Sequence, residues 1–349
     1  MPEWLYEDGI GEARAALVEN GEILEAAIER PHTGPRQGTV ARARFQGQLV
    51  GRRTALVDLT GYGEAVLSPV PAGAGQGQKL TVEVVREMIF LRHVFYEGRS
   101  FKSPKVKAVP ADTPLVAGPA LRERLATSGH PVRELRSLGP DELEAAGWSE
   151  LIEQAISGKV EFPGGALLIQ LTEGMTVIDV DGHFEPDALS IAGAQAAARA
   201  IRRMGLAGSI AIDLPSATGR EARKRAAEAF DAEMSGAFER TAVSGWGLLH
   251  VIMPRRRASL MELLQGDQHI AAAMTLYRRA ERDPRIGPVR ITASQDVLTA
   301  FGRHAGNDAE LERRRGAAVH WEIKNSLPTW SGYVHVLRDP DDLKDDDDD

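Results

Sequence analysis

The sequence predicts a multidomain α/β protein with a small β-barrel in its N-terminal half. Three observations carry this. A chain of 349 residues exceeds one ordinary domain and suggests two to three. Between Gly38 and Lys107, short β-like runs alternate with Gly-rich turns, the pattern of a small barrel. Over residues 163–253 the periodicity changes in the order β-β-α-β-α-β, an α/β sandwich signal.

The elements follow in order. Glu19-Asn20-Gly21 reads as a hairpin turn between strands at 14–18 and 23–28. His32-Thr33-Gly34-Pro35 is a linker. The barrel runs are separated by Gly51, by Gly61 and Gly63, and by a loop with Gly73, Gly75 and Gly77. Helices are expected at 119–126 and 140–157, the second ending at Gly158. In the sandwich, strands are expected at 166–171, 175–180, 209–214 and 247–253. Helices are expected at 189–204 and 221–232, the first with Arg199, Arg202 and Arg203 toward its C-terminal end. Residues 266–338 read as a small α+β unit, with pieces at 268–281, 289–292, 294–304, 308–315 and 318–321.

The charge balance is uneven. The net charge is −8, yet the Asp-rich tail over 339–349 carries nearly all of it and reads as an appendage or tag remnant. Residues 36–107 hold 12 Lys and Arg against 5 Asp and Glu. A small basic barrel suggests an oligonucleotide-binding fold, with a merely solvated basic face as the alternative. The chain has no cysteine, which excludes disulfides, a Cys-based zinc site and a Cys nucleophile. It shows no signal-peptide pattern at Met1-Pro2-Glu3-Trp4 and no apolar run near the roughly 20 residues of a membrane span. A soluble cytoplasmic protein is expected. No P-loop, His-Glu-x-x-His or Gly-x-Ser-x-Gly motif is present.

Two apolar strands end in acid, Ile178-Asp179-Val180-Asp181 and Ile212-Asp213-Leu214. Residues two apart on a strand share a face, so Asp179 and Asp181 project together. Converging carboxylates at strand ends repel unless a cation neutralises them, and hard oxygen donors suit magnesium or manganese. The alternative is that each Asp caps the following turn. The run Arg255-Arg256-Arg257 follows the last strand and suits phosphate clamping if the metal site exists, a solvated loop if not. His183 and His250 are the histidines nearest these strands. A lone His is usually structural.

Five stretches share one further property. Residues 12–21, then 151–180 with its Gly164-Gly165 and Glu173-Gly174 turns, then 206–213, then Ser244-Gly245-Trp246-Gly247 running to Arg255, Arg257 and Leu260, and lastly 310–316 follow one another in a recognisable order. Together they resemble the ribonuclease E/G family. The resemblance implies an RNase H-like subdomain over 1–35 and 108–160, interrupted by an S1-type OB-fold over 36–107. It implies a DNase I-like catalytic subdomain over 161–265 and a small C-terminal domain over 266–338. It implies magnesium on Asp179 and Asp213, with Asp181 beside them and Glu173 as a nearby acid. Lys102-Ser103-Pro104-Lys105 is similar to the turn ending the family's OB-fold, which makes Lys102 and Lys105 candidates for the RNA backbone, with Arg255 and Arg257.

The departures are specific. Asp181 stands where the family has Asn, and Ser216 replaces a downstream Asp. The barrel positions that carry base-stacking aromatics in the family are Leu56 and Val66 here, with Tyr62 nearby. Stacking is worth about 1–3 kcal/mol per base, so single-strand affinity is expected to fall by one to a few powers of ten. The stretch after Lys107 is too short for the family's 5′-end sensor, and Gln265-Gly266-Asp267-Gln268 carries no Cys link. Neither 5′ sensing, structural zinc nor zinc-linked oligomerisation is expected. Two functions remain: a metal-dependent endoribonuclease acting on single-stranded RNA, and a non-catalytic RNA-binding protein on the same fold.

Overall fold

A computed structural model of the chain describes residues 1–31, 34–49, 53–90, 101–136, 139–301 and 306–337. His32, Thr33, Gly51 and the acidic tail lie outside the described residues.

The hairpin forms as its sequence dictates. Asn20 and Gly21 take left-handed backbone at φ 54° and 82°, which a type I′ turn requires. β1 (Glu3–Asp8), β2 (Ala13–Glu19) and β3 (Glu22–Glu29) make an antiparallel meander.

The chain then builds a closed barrel from β4 (Val40–Gln48), β5 (Ala55–Leu59), β6 (Gly63–Leu67) and β7 (Lys79–Arg86). A short ladder of β8 (Ile89–Phe90) and β9 (Phe101–Lys102) follows. β10 (Lys105–Val109) closes the barrel, parallel to β6 and antiparallel to β7. Phe45, Val57, Leu59, Leu67, Val82, Val84 and Val106 fill it. Five strands in the order β10-β6-β5-β4-β7 give an OB-like fold.

After α1 (Leu121–Ala126) the chain returns to the first sheet: β11 (Val132–Glu134) pairs in parallel with β1. The barrel is thus inserted between two strands of one sheet. The helix expected over 140–157 is two helices, α2 (Glu142–Ala145) and α3 (Trp148–Ser157). Gly147 lies between them at φ 93°, a left-handed conformation that a helix cannot continue through.

The catalytic candidates lie on the next unit. Its elements are β12 (Lys159–Phe162), β13 (Gly165–Leu171), β14 (Thr176–Gly182), α4 (Pro186–Met204), β15 (Gly208–Asp213), α5 (Arg220–Glu233), β16 (Glu239–Arg240) and β17 (Leu248–Met253). They form a six-stranded sheet, β12-β13-β14-β15-β17-β16, in which only β14 and β15 run parallel. One face buries Leu167, Ile169, Ile178, Ile210, Ile212, Leu249 and Val251 in the core that α4 and α5 share. The Ala-rich side of α4 allows close approach, and a Cβ on its Gly193 would meet Val180 Cγ1 at 2.3 Å. The opposite face is open: Leu168, Leu248 and Ile252 are exposed on it.

The C-terminal unit comprises α6 (Leu260–Gly266), α7 (Gln268–Arg282), β18 (Val289–Ala293), α8 (Gln295–Phe301), α9 (Asn307–Arg315), β19 (Val319–Ile323) and β20 (Tyr333–Val336). It is fastened to the first sheet by buried ion pairs. Arg14 donates to Glu7 at 2.9 Å, to Glu12 at 2.9 Å and to the Met274 carbonyl at 3.2 Å. Arg30 reaches Glu12 at 2.8 Å, and Arg278 reaches Glu7 at 3.1 Å. Burial pushes the Glu7 and Glu12 carboxyls up, but the surrounding guanidinium groups outweigh it and hold both below the ordinary carboxylate range. Among the described residues no helix is long and apolar enough to cross a membrane.

Candidate active site

The register of two parallel strands creates the site. Asp179 on β14 stands directly opposite Asp213 on β15. In-register residues of a parallel pair share a face, and neighbouring strands lie about 4.8 Å apart. Alternation puts Ile178, Val180, Ile212 and Leu214 into the core, so the two aspartates must face the open side, where both are exposed. Leu168 and Leu248 complete the row across β13 and β17. Among the described residues neither aspartate has a hydrogen-bond or ion-pair partner. Two unpaired carboxylates side by side repel each other and attract a cation.

Asp181 lies two residues further along β14, on the same face, beyond the end of β15. Its Oδ1 accepts the Gly182 amide at 2.8 Å. Among the described residues no three His, Asp or Glu side chains converge as a cage. The donor set is therefore a carboxylate pair with Asp181 at its margin. Hard oxygens with open sides fit magnesium, which keeps several waters and takes one or two carboxylates.

The loops at this sheet end are fixed by short-range bonds. Asp187 accepts the Thr218 amide at 2.7 Å and hydroxyl at 2.9 Å, which ties the segment after β15 to α4. These bonds hold the Asp187 carboxyl below its ordinary value. His183 packs edge-on against Phe184, with ring centroids 5.3 Å apart. His250 lies in the Ala211 row, two residues down the sheet from Asp213, with Nε2 2.8 Å from Ser209 Oγ.

The cations gather at the other end of the sheet. β17 runs antiparallel to β15, so Leu248 faces Asp213 while Met253 faces Gly208. Arg255 and Arg257 therefore leave the sheet roughly 17 Å from the carboxylates, five strand residues away. Sequence order alone suggests proximity, and strand direction removes it. Arg255 pairs with Glu262. Arg257 contacts Glu87 at 3.3 Å and Gln37 at 2.7 Å. The Lys102 amine donates to the Glu173 carbonyl, in the turn at this same end. Burial lowers the Lys102 pKa, and Arg255 and Arg86 lower it further. Arg86, which donates to the Ser103 carbonyl at 2.6 Å, joins this group. Nothing in the sequence around Arg86 distinguishes it from any barrel arginine. Lys105 is half-buried on β10 between Arg86 and Val66.

On the barrel, Leu56 and Val66 are cross-strand partners, both half-buried, and Tyr62 is exposed in the turn between their strands. Sequence reasoning also passes over Trp246, which it treats only as part of a motif. The structure exposes it almost completely.

Comparison with known proteins points the same way. Residues 130–258 match the Ribonuclease E/G family. Ribonuclease G of Escherichia coli (strain K12) and Ribonuclease G of Shigella flexneri are each 32% identical to this chain over 126 residues. The match covers 32% of this chain and 26% of each relative, about a quarter of their length. The family segment contains the whole six-stranded sheet and both facing aspartates. Over residues 130–258 the chain is similar to the ribonuclease E/G family.

Proposed function

We propose that the chain is a metal-dependent endoribonuclease acting on single-stranded RNA in the cytoplasm. The observation that carries this reading is the pairing of Asp179 with Asp213 across two parallel strands, exposed and unneutralised. Magnesium or manganese on these carboxylates supplies an activated water and charge neutralisation at the scissile phosphodiester, which leaves a 5′-phosphate and a 3′-hydroxyl. Asp179 and Asp213 hold their oxygens fixed because β14 and β15 are locked by the core beneath. Asp181 orients water or a third oxygen at the margin. Lys102, Lys105, Arg255 and Arg257, joined by Arg86, hold backbone phosphates away from the cut, at the sheet end facing the barrel. The same reading takes the first sheet as RNase H-like, the barrel as S1-type and the six-stranded sheet as DNase I-like.

A second reading has its own support. Among the described residues two carboxylates pair with no third closing on them, and the barrel presents aliphatic residues where stacking aromatics are expected. It makes the chain a non-catalytic RNA-binding protein. Labelled single-stranded RNA with magnesium separates the two, repeated with EDTA and with Asp213→Asn. Cleavage lost in both controls supports the enzyme. Cleavage that survives Asp213→Asn overturns the site. Binding without cleavage in magnesium or manganese supports the second reading.

A further inference from the structure

The turn 244–247 leads into β17 and so reaches the sheet end that carries Asp213. Ser244 builds it: its Oγ accepts the Trp246 amide at 3.2 Å and the Leu248 amide at 3.0 Å. The Gly247 amide donates to the Ser244 carbonyl at 3.1 Å. Gly247 also stitches the turn to the residue after Asp213, since its carbonyl accepts the Leu214 amide at 3.2 Å. No other residue fits there. Its φ is 89°, and a Cβ would lie 1.9 Å from the Leu214 carbonyl oxygen. The turn is therefore held by its own bonds and by β15.

On this fixed turn Trp246 is 87% exposed. An indole can bury roughly 150–250 Å² of apolar surface, and here almost none of that area contributes to the fold. Its position is specific. Leu248 faces Asp213, and Trp246 precedes it by two residues, in a turn whose Gly247 carbonyl holds the amide of Leu214, the residue after Asp213. Phe184, 43% exposed, lies in the bend after β14, three residues past Asp181 and against Gly164. Aromatic surface thus flanks the carboxylates, while the barrel pair Leu56 and Val66 offers none.

We infer that Trp246 is a stacking platform for the RNA base next to the phosphodiester held at Asp179 and Asp213. The inference rests on the ribonuclease reading above. It moves base stacking from the barrel to the catalytic sheet. A flat indole accepts any base, so it positions the strand without reading its sequence.

The test compares Trp246→Ala and Trp246→Phe, for cleavage in the otherwise native chain and for binding in the Asp213→Asn background. Trp246→Ala is expected to weaken single-stranded RNA binding roughly 5- to 150-fold and to raise KM correspondingly, with Trp246→Phe within about threefold of the parent. RNA should quench tryptophan emission in the parent, and Trp246→Ala should lose that quench. Thermal unfolding should be unmoved, because the ring is exposed. A native chain that cleaves RNA, with a Trp246→Ala variant that binds and cleaves equally well, overturns the inference and leaves the ribonuclease reading standing. A native chain that neither binds nor cleaves RNA overturns both. If Trp246→Ala turns a dimer into a monomer in sedimentation, and RNA binding falls only with that change, the residue is a contact between copies and the inference fails.

Discussion

Replacing Asp213 with Asn should make the protein more stable while removing its chemistry. The two facing aspartates are separated by one inter-strand spacing, about 5 Å. Coulomb's law gives about 0.8 kcal/mol of repulsion at the dielectric of water and about 3 kcal/mol at an effective dielectric of 20. Both groups are exposed, so the lower figure applies, and salt screening reduces it to about 0.5 kcal/mol. Asn has nearly the same shape and breaks no hydrogen bond, because Asp213 makes none among the described residues. The variant's thermal midpoint in EDTA should rise by about 1–2 °C. Magnesium should do to the native chain what the substitution does to the variant. At tenfold above its Kd it adds about 1.4 kcal/mol of stability, and Asp213→Asn should lose most of that gain. Calorimetry in EDTA and in magnesium measures both. A variant less stable than the parent in EDTA, or a parent indifferent to magnesium and manganese, refutes the carboxylate-pair argument without any activity being measured.

Three further outcomes are expected. Glu12→Gln removes the buried carboxylate that Arg14 and Arg30 share and should cost about 3–5 kcal/mol in urea unfolding. A loss under 1 kcal/mol would mean that the network behaves as a surface pair. Because Glu7 and Glu12 titrate below 4.5 in the fold, their contribution is complete above that pH. It should be lost as the pH falls through their lowered values, so acid unfolding should be steeper in the parent than in Glu12→Gln. Lys102→Ala should weaken RNA binding evenly across sequences and reduce the salt slope by about one, read by fluorescence anisotropy across a salt series. An unchanged slope would place Lys102 off the phosphate path.

The strands carrying Asp179 and Asp213 are legible in the sequence because each acid interrupts a run of alternating apolar residues, and alternation alone fixes which face it takes. What alternation cannot say is which strands become neighbours or in what direction. That Asp179 meets Asp213 depends on parallel register, and that Arg255 lies far from both depends on the antiparallel run of β17. The barrel is legible from its glycines, whereas its closure through β10 is a long-range pairing. Gly147 inside an otherwise helical stretch marks the break between α2 and α3, but helical periodicity on both sides conceals it. Trp246 is hidden for a different reason: in the sequence it is one residue of a Gly-rich motif, and only the tertiary structure shows it 87% exposed.

The insertion of the barrel between β3 and β11 has a consequence for how the domains depend on each other. The two crossing points nearly touch: Val40 bridges Val116, the Gly118 amide donates to Thr39 Oγ1 at 2.9 Å, and a Cβ on Gly118 would lie 2.4 Å from the Gln37 carbonyl oxygen. A folded barrel therefore presents its ends already together, and the first sheet can pair β11 with β1 at no extra entropic cost. An unfolded barrel would be a floppy loop of roughly 80 residues, whose closure costs about 4 kcal/mol. The barrel and its host sheet are in this way linked in stability, the barrel acting as a staple that works only while it is folded.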